Sequence, residues 1–128
     1  MARPKAPELT ERELDVMRVF WDHGPLTAQQ ARDHLQERGK DLAYTTVATL
    51  IRILGDKGFL NQTNDERPFV YESLRSFDEV SNKLLGHLVK QLFDGSREKM
   101  LLNLFGRQKL TKKERSALQQ ILEEKGNE

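Results

Sequence analysis

Between Ala43 and Leu74 the chain reads AYTTVATLIRILGDKGFLNQTNDERPFVYESL: a helical apolar period that gives way, after a glycine, to two short runs flanking a proline-containing turn. At 3.6 residues per turn, Val47, Leu50, Ile51 and Leu54 share one stripe, while Thr45, Ala48, Thr49 and Arg52 share the opposite one. The first stripe must pack against other apolar groups. The second is made of hydroxyls, a methyl and a single guanidinium, where a solvated helix face usually carries long charged side chains. Such a face permits close approach to a grooved partner. The major groove of DNA admits a helix and offers phosphates, base-edge acceptors and thymine methyls to these groups. An ordinary solvated face remains the alternative reading of the same pattern.

The chain is punctuated by helix starts. Thr10 with Glu13, Thr27 with Gln30, Ser76 with Glu79, and Thr111 with Glu114 each have the spacing of a capping box, and each precedes an amphipathic run. The first helix is predicted from about Thr10 to Asp22, burying Leu14, Met17, Phe20 and Trp21 and stopped by His23-Gly24-Pro25. The second is predicted from Thr27 to about Arg38, with Ala28, Ala31 and Leu35 inward and Gly39 at its end. A third, from roughly Tyr44 to Lys57, ends at Gly58. Strands are predicted over about Phe59 to Thr63 and Phe69 to Leu74, joined by Asn64-Asp65-Glu66-Arg67-Pro68. Three helices and a hairpin make a winged helix-turn-helix. The fold class is therefore mainly α with a small β-hairpin wing (α+β), the DNA-binding domain occupying residues 1–75.

From Ser76 onward the pattern becomes purely helical, and residues 76–128 are assigned to a helical dimerisation region. Val80, Leu84, Leu85, Leu88 and Leu92 form a stripe on a long helix that stops at Asp94-Gly95. Met100, Leu101, Leu102, Leu104 and Phe105 crowd a short one, and Leu118, Ile121 and Leu122 line the last. Three such helices expose more apolar surface than they can bury among themselves. A second copy related by two-fold symmetry is the simplest cover, with Val80, Leu84, Leu88, Leu92, Leu101, Leu104, Phe105, Leu118, Ile121 and Leu122 as dimerisation residues. Leu84, Leu88 and Leu92 have the alternative of packing on their own winged domain.

Charge is balanced: residues 1–75 hold eleven Lys/Arg and twelve Asp/Glu, and residues 76–128 hold ten and eight. That is not the strongly basic signature of a nonspecific nucleic-acid coat, so positive charge must be placed locally and affinity must lean on two copies acting together. The candidate DNA contacts are Lys40, Tyr44, Thr45, Thr46, Thr49, Arg52 and Arg67, reading base edges or phosphate. Arg67 at the wing tip has the alternative of pairing with Asp65 and Glu66. Lys57 is a further candidate for phosphate, or a complement to the helix dipole.

Zero cysteines excludes disulfides and thiolate chemistry. His23, His34 and His87 are too scattered in sequence to form a local metal motif, and no HExxH, P-loop, GxSxG or dinucleotide fingerprint occurs. Neither a cofactor nor a metal is expected, and an enzyme is not expected. No apolar run has membrane-spanning length and Met1–Pro7 lacks the apolar stretch of a signal peptide, so a cytoplasmic location and no membrane contact are expected.

The segments LTERELDVMRVFW, YTTVATLIRILGDKGFL and KMLLNLFGRQKLTKKE, in this order and spacing, resemble the penicillinase-repressor (BlaI/MecI) family of bacterial winged-helix repressors, and the resemblance spans Leu9 to about Glu124. It implies a homodimer on a palindromic double-stranded operator, with intertwined C-terminal helices, repressing genes for β-lactam resistance or another stress response. It also implies release by a regulatory protease that cuts in the dimerisation region, here at the bond Asn103–Leu104. Family members that are cut carry phenylalanine after the asparagine; here that position is leucine, with phenylalanine at Phe105. The cysteine-dependent copper-responsive branch is excluded. Two other functions suit a winged helix of this kind: a protein-interaction module, which near-neutral charge favours, and a repressor that senses a small ligand between its dimer helices.

Overall fold

The structure, a computed structural model, describes residues 9–126. Met1–Pro7, expected to carry no leader, lies outside the described residues. Helix α1 (Glu11–His23) opens with both halves of the Thr10/Glu13 capping box and closes at Gly24, whose φ of +82° favours glycine. Strand β1 (Leu26–Thr27) leads straight into α2 (Ala28–Glu37), capped reciprocally by Thr27 and Gln30. Then come α3 (Tyr44–Asp56), β2 (Leu60–Gln62) and β3 (Val70–Ser73).

The sheet is antiparallel, in the order β1-β3-β2, with Leu26 opposite Tyr71 and Leu60 opposite Ser73. The hairpin was expected, with longer strands; β1 was not. Two residues carry no period that a sequence can reveal, and their pairing comes from the open edge that β3 offers.

Val16, Met17, Val19 and Phe20 of α1, Ala31 and Leu35 of α2, Val47, Ile51 and Leu54 of α3, and Phe59 and Leu60 form the core. The small Ala28 and Ala31 let neighbouring elements approach closely, as expected. Leu14 and Trp21, also expected inward, are only half-buried, and Val16 and Val19 take the deep positions. Helix α1 packs against α2, α3 and β3, so its buried arc is wider than one amphipathic stripe.

Helix α4 (Phe77–Leu92) begins beside this core. Val80 is buried in it, which corrects its expected place on a dimer seam, and the half-buried Leu84 packs against it, the alternative that the sequence left open for that residue. The boundary between compact units accordingly falls between Leu84 and Leu85, inside α4, and not at residue 75. At the start of α4, Ser76 accepts a hydrogen bond from the Glu79 amide at 3.0 Å, but the Glu79 carboxylate is taken by Arg75, also at 3.0 Å. Only one direction of the expected capping box is thus made.

The second unit holds the rest of α4, α5 (Arg97–Phe105) and α6 (Lys112–Gly126). Thr111 and Glu114 cap α6 reciprocally, and Ser96 caps α5 through the Lys99 amide. Among its described residues only Val89 is buried. Leu85, Leu88, Leu92, Leu101, Leu102, Leu104, Ile121 and Leu122 are 44% to 69% exposed, while Phe105 and Leu118 are half-buried. No helix among the described residues is long and apolar enough to cross a membrane.

Candidate nucleic-acid interface

The turn between α2 and α3 is held from both sides. Gly39 adopts a φ of +83°, the Lys40 amide donates to the Leu35 carbonyl at 2.8 Å, and Arg32 Nε donates to the Leu42 carbonyl at 3.3 Å. Helix α3 then lies with Val47, Ile51 and Leu54 buried and Leu50 half-buried. Thr45, Thr49 and Arg52 stand exposed on the other side, with Thr46 and Ala48 half-buried. The N-cap is Ala43, which has no side-chain acceptor, so the first-turn amides of α3 have no side-chain cap. Amides at a helix start attract phosphate when DNA approaches.

The wing is organised by Asn64. Its Nδ2 donates to the carbonyls of Glu66 (2.9 Å) and Pro68 (3.1 Å), and its Oδ1 accepts from the Val70 amide at 2.8 Å. Three backbone bonds from one side chain fold the tip into a fixed shape and present Arg67. The Arg67 guanidinium lies 5.0 Å from the Phe69 ring centroid instead of pairing with Asp65 or Glu66. Between α3 and the wing runs a depression of about 540 Å³, bordered by Tyr44, Ala48 and Arg52 on one side and Gln62, Arg67 and Phe69 on the other. A neighbouring hollow of about 400 Å³ shares Tyr44, Arg67 and Phe69 and adds Thr27 and Gln29. Tyr44 is 48% exposed at the edge of both.

The cations of this face are held loosely. Arg52 is 3.9 Å from Asp56 and Lys40 is 3.9 Å from Asp15, and both cations are exposed, so water and salt weaken these pairs and an incoming phosphate can replace them. Lys57 is different. Its Nζ donates to Glu13 Oε1 at 2.8 Å, and Glu13 is only 4% exposed. Sequence reasoning offered Lys57 as a phosphate or helix-dipole partner; the structure uses it to tie the end of α3 to the start of α1. Burial alone would raise the Glu13 carboxyl, but hydrogen bonds from Lys57 and Thr10, with the lysine charge, hold it below the ordinary glutamate range.

Seven residues chosen from sequence as DNA contacts thus lie on the first unit. Tyr44, Arg52 and Arg67 border one depression, Thr45, Thr46 and Thr49 continue along α3, and Lys40 stands just before it. Sequence reasoning missed the roles of Asn64, Arg32 and Glu13. Asn64 had a turn signal but nothing that revealed its three acceptors and donors, and Glu13 was visible only as a cap. The histidines His23 and His34, distant in sequence, stack with centroids 3.7 Å apart.

The family model described as penicillinase repressor matches residues 9–124. A penicillinase repressor of Bacillus licheniformis is 30% identical over 126 residues, covering 96% of this chain and 95% of that protein. The methicillin resistance regulatory protein MecI of Staphylococcus aureus (strain N315) is 27% identical over 121 residues, covering 94% and 98%. The transcriptional regulator BlaI of Mycobacterium tuberculosis (strain H37Rv) is 33% identical over 105 residues, covering 80% and 75%. The solution structure of monomeric Bacillus licheniformis BlaI in complex with the blaP half-operator is 28% identical and aligns with a TM-score of 0.49, covering 59% of this chain and 90% of that one. With the family model spanning nearly its whole length, the chain belongs to the penicillinase repressor family of transcriptional regulators.

Proposed function

We propose that this protein represses transcription as a homodimer that places two α3 helices in successive major-groove segments of a palindromic operator. One observation carries the reading: the exposed Thr45, Thr49 and Arg52 face of α3, bordered by a wing that presents Arg67 beside the same depression. In the complex, Thr45, Thr46, Thr49 and Arg52 meet base edges or phosphates, Ala48 meets thymine methyls, and Lys40, Tyr44 and Arg67 meet the backbone on either side. The dimer occludes the polymerase. Its site of action is the cytoplasm, where bacterial operators are found.

Dimerisation is supported by the second unit's lack of a core. Among its described residues leucines from three helices stay exposed and only Val89 is buried, a surface whose removal from water stabilises association by roughly 25 cal/mol per Å² before ordering costs. Leu88, Leu92, Leu101, Leu104, Ile121 and Leu122 supply it, with Phe105 and Leu118 at its margin. Release follows cleavage of Asn103–Leu104 by a regulatory protease. Both residues are exposed, but they lie in the last turn of α5, which has to unwind before a protease can bind it as an extended strand. The cut removes Leu118, Ile121 and Leu122 from the dimer and touches no DNA contact.

Selection of bound duplexes from a random pool by the full-length protein tests the reading. The expected result is a palindrome whose half-sites are spaced by about one helical turn, or a multiple of it. No enrichment even at low salt would overturn it.

A further inference from the structure

The tip of the wing carries two carboxylates to which the DNA-facing surface gives no role. Asp65 and Glu66 are exposed, and among the described residues neither side chain takes part in a hydrogen bond or an ion pair. The cation beside them is engaged elsewhere, since the Arg67 guanidinium lies 5.0 Å from the Phe69 ring centroid. The backbone beneath is pinned. Asn64 holds the carbonyls of Glu66 and Pro68 and the amide of Val70. Gln62 Nε2 donates to the Asn64 carbonyl at 2.7 Å, and the Thr63 amide donates to the Val70 carbonyl at 2.8 Å. A backbone bonded this densely fixes where the three charged side chains start. The two signs are also set apart: Arg67 and Phe69 border both hollows beside α3, and neither Asp65 nor Glu66 borders either.

We propose that Asp65 and Glu66 are specificity-determining residues: their carboxylates oppose contact between the wing and phosphate wherever α3 is not seated in its groove. The inference rests on the operator reading given above. Non-specific binding is held by phosphate contacts made in many registers and orientations. In most of them the outer side of the tip meets the DNA backbone as well as the inner side, and two uncompensated negative charges outweigh one positive charge. In the operator complex α3 fixes the orientation. Arg67 then reaches DNA from the side of the hollows, and the carboxylates, standing outside both, keep their water. Screening confines the repulsion to about 8 Å at physiological ionic strength, so it acts only on complexes that bring the tip close to phosphate. Discrimination by penalising the wrong complex requires no added contact in the right one.

The test uses the full-length protein as wild type, Asp65→Asn/Glu66→Gln, Asp65→Asn alone, Arg67→Ala, and Glu11→Gln/Asp78→Asn, the last pair removing two exposed charges from α1 and α4. Affinity is measured across a salt series on the selected operator and on a shuffled duplex of the same length. For the double wing variant the expected result is about fivefold tighter binding of the shuffled duplex, less than about twofold change on the operator, and a difference that shrinks as salt rises. Asp65→Asn alone shifts the ratio less in the same direction, and the pair on α1 and α4 leaves it unchanged. Equal gains on both duplexes, or a pair on α1 and α4 that matches the wing pair, overturn the proposal, because charge would then act only through its total. Should the double wing variant fail to give a cooperative thermal melt, a wild-type ratio from Asp65→Asn overturns it equally. Arg67→Ala should weaken the operator complex, and an unchanged affinity refutes the wing's part in DNA binding. A wild type that binds both duplexes alike refutes the operator reading itself, before any variant is compared.

Discussion

Glu13→Gln exchanges one oxygen for a nitrogen and removes the charge that ties the start of α1 to the end of α3. Its cap survives, because Gln30 already performs the same task for Thr27, accepting from its amide at 2.9 Å. What changes is the 2.8 Å contact with Lys57, which passes from an ion pair to a hydrogen bond between the ammonium and a neutral amide oxygen. The ammonium keeps its charge, so what is lost is the Coulomb attraction of a half-exposed ion pair, about 1 kcal/mol. The cost of roughly 3 to 5 kcal/mol for breaking a wholly buried pair is not reached, because the Lys57 side chain is 37% exposed and its ammonium can be rehydrated. Glu13→Ala should lose about 1 kcal/mol more, having lost the cap as well. Urea unfolding at neutral pH measures both, and a double-mutant cycle with Lys57→Met should give a coupling of about 1 kcal/mol. Because the folded-state pKa of Glu13 is depressed, its contribution is complete above the unfolded-state value and disappears as pH falls through the folded one. Wild type and Glu13→Gln should therefore converge in stability on acidification. Equal stability at neutral pH, or a gap that persists unchanged into acid, would refute the reasoning.

Three further outcomes are expected. Arg52→Ala should weaken operator binding by about 1 to 3 kcal/mol and relax selectivity at a single base position if the guanidinium reads a guanine, whereas a loss uniform across operator variants makes it a phosphate contact. Asn64→Ala removes three backbone partners at the wing tip and should speed hydrogen exchange of the Val70 amide, with a few-fold loss of operator affinity and little change in global stability. Protein truncated after Asn103 should sediment as monomer at concentrations where the full chain is dimeric, and should bind a single half-site as the full chain does while losing the two-site advantage.

The helix starts were legible because a capping box is local: donor and acceptor lie three residues apart, and no distant part of the chain is needed to form it. Thr10, Thr27 and Thr111 cap reciprocally as their spacing requires. At Ser76 the pattern was only half informative, since a neighbouring guanidinium captured the Glu79 carboxylate. The apolar stripe of α3 was legible for a related reason: periodicity fixes which side packs whatever it packs against. The stripe of α4 misled for the same reason. Val80 and Leu84 share a face with Leu88 and Leu92, yet Val80 is buried and Leu84 half-buried in the winged-helix unit, while Leu88 and Leu92 belong to the second unit and stay exposed.

The sequence by itself determined the order of the helices, the side of α3 that packs, the small polar side that stays out, and the excess of leucine in the last third of the chain. Each of these follows from neighbours within a turn or two, where backbone geometry fixes the distances. Only the tertiary structure decided that Lys57 pairs with Glu13, that a two-residue strand before α2 completes the sheet, that Asn64 shapes the wing around Arg67, and that Arg75 bonds to Trp21 of α1, to Gly58 before β2 and to Glu79 of α4. Those contacts join residues whose separation in space is set by the packing of several elements at once, and no local period in the chain encodes that packing.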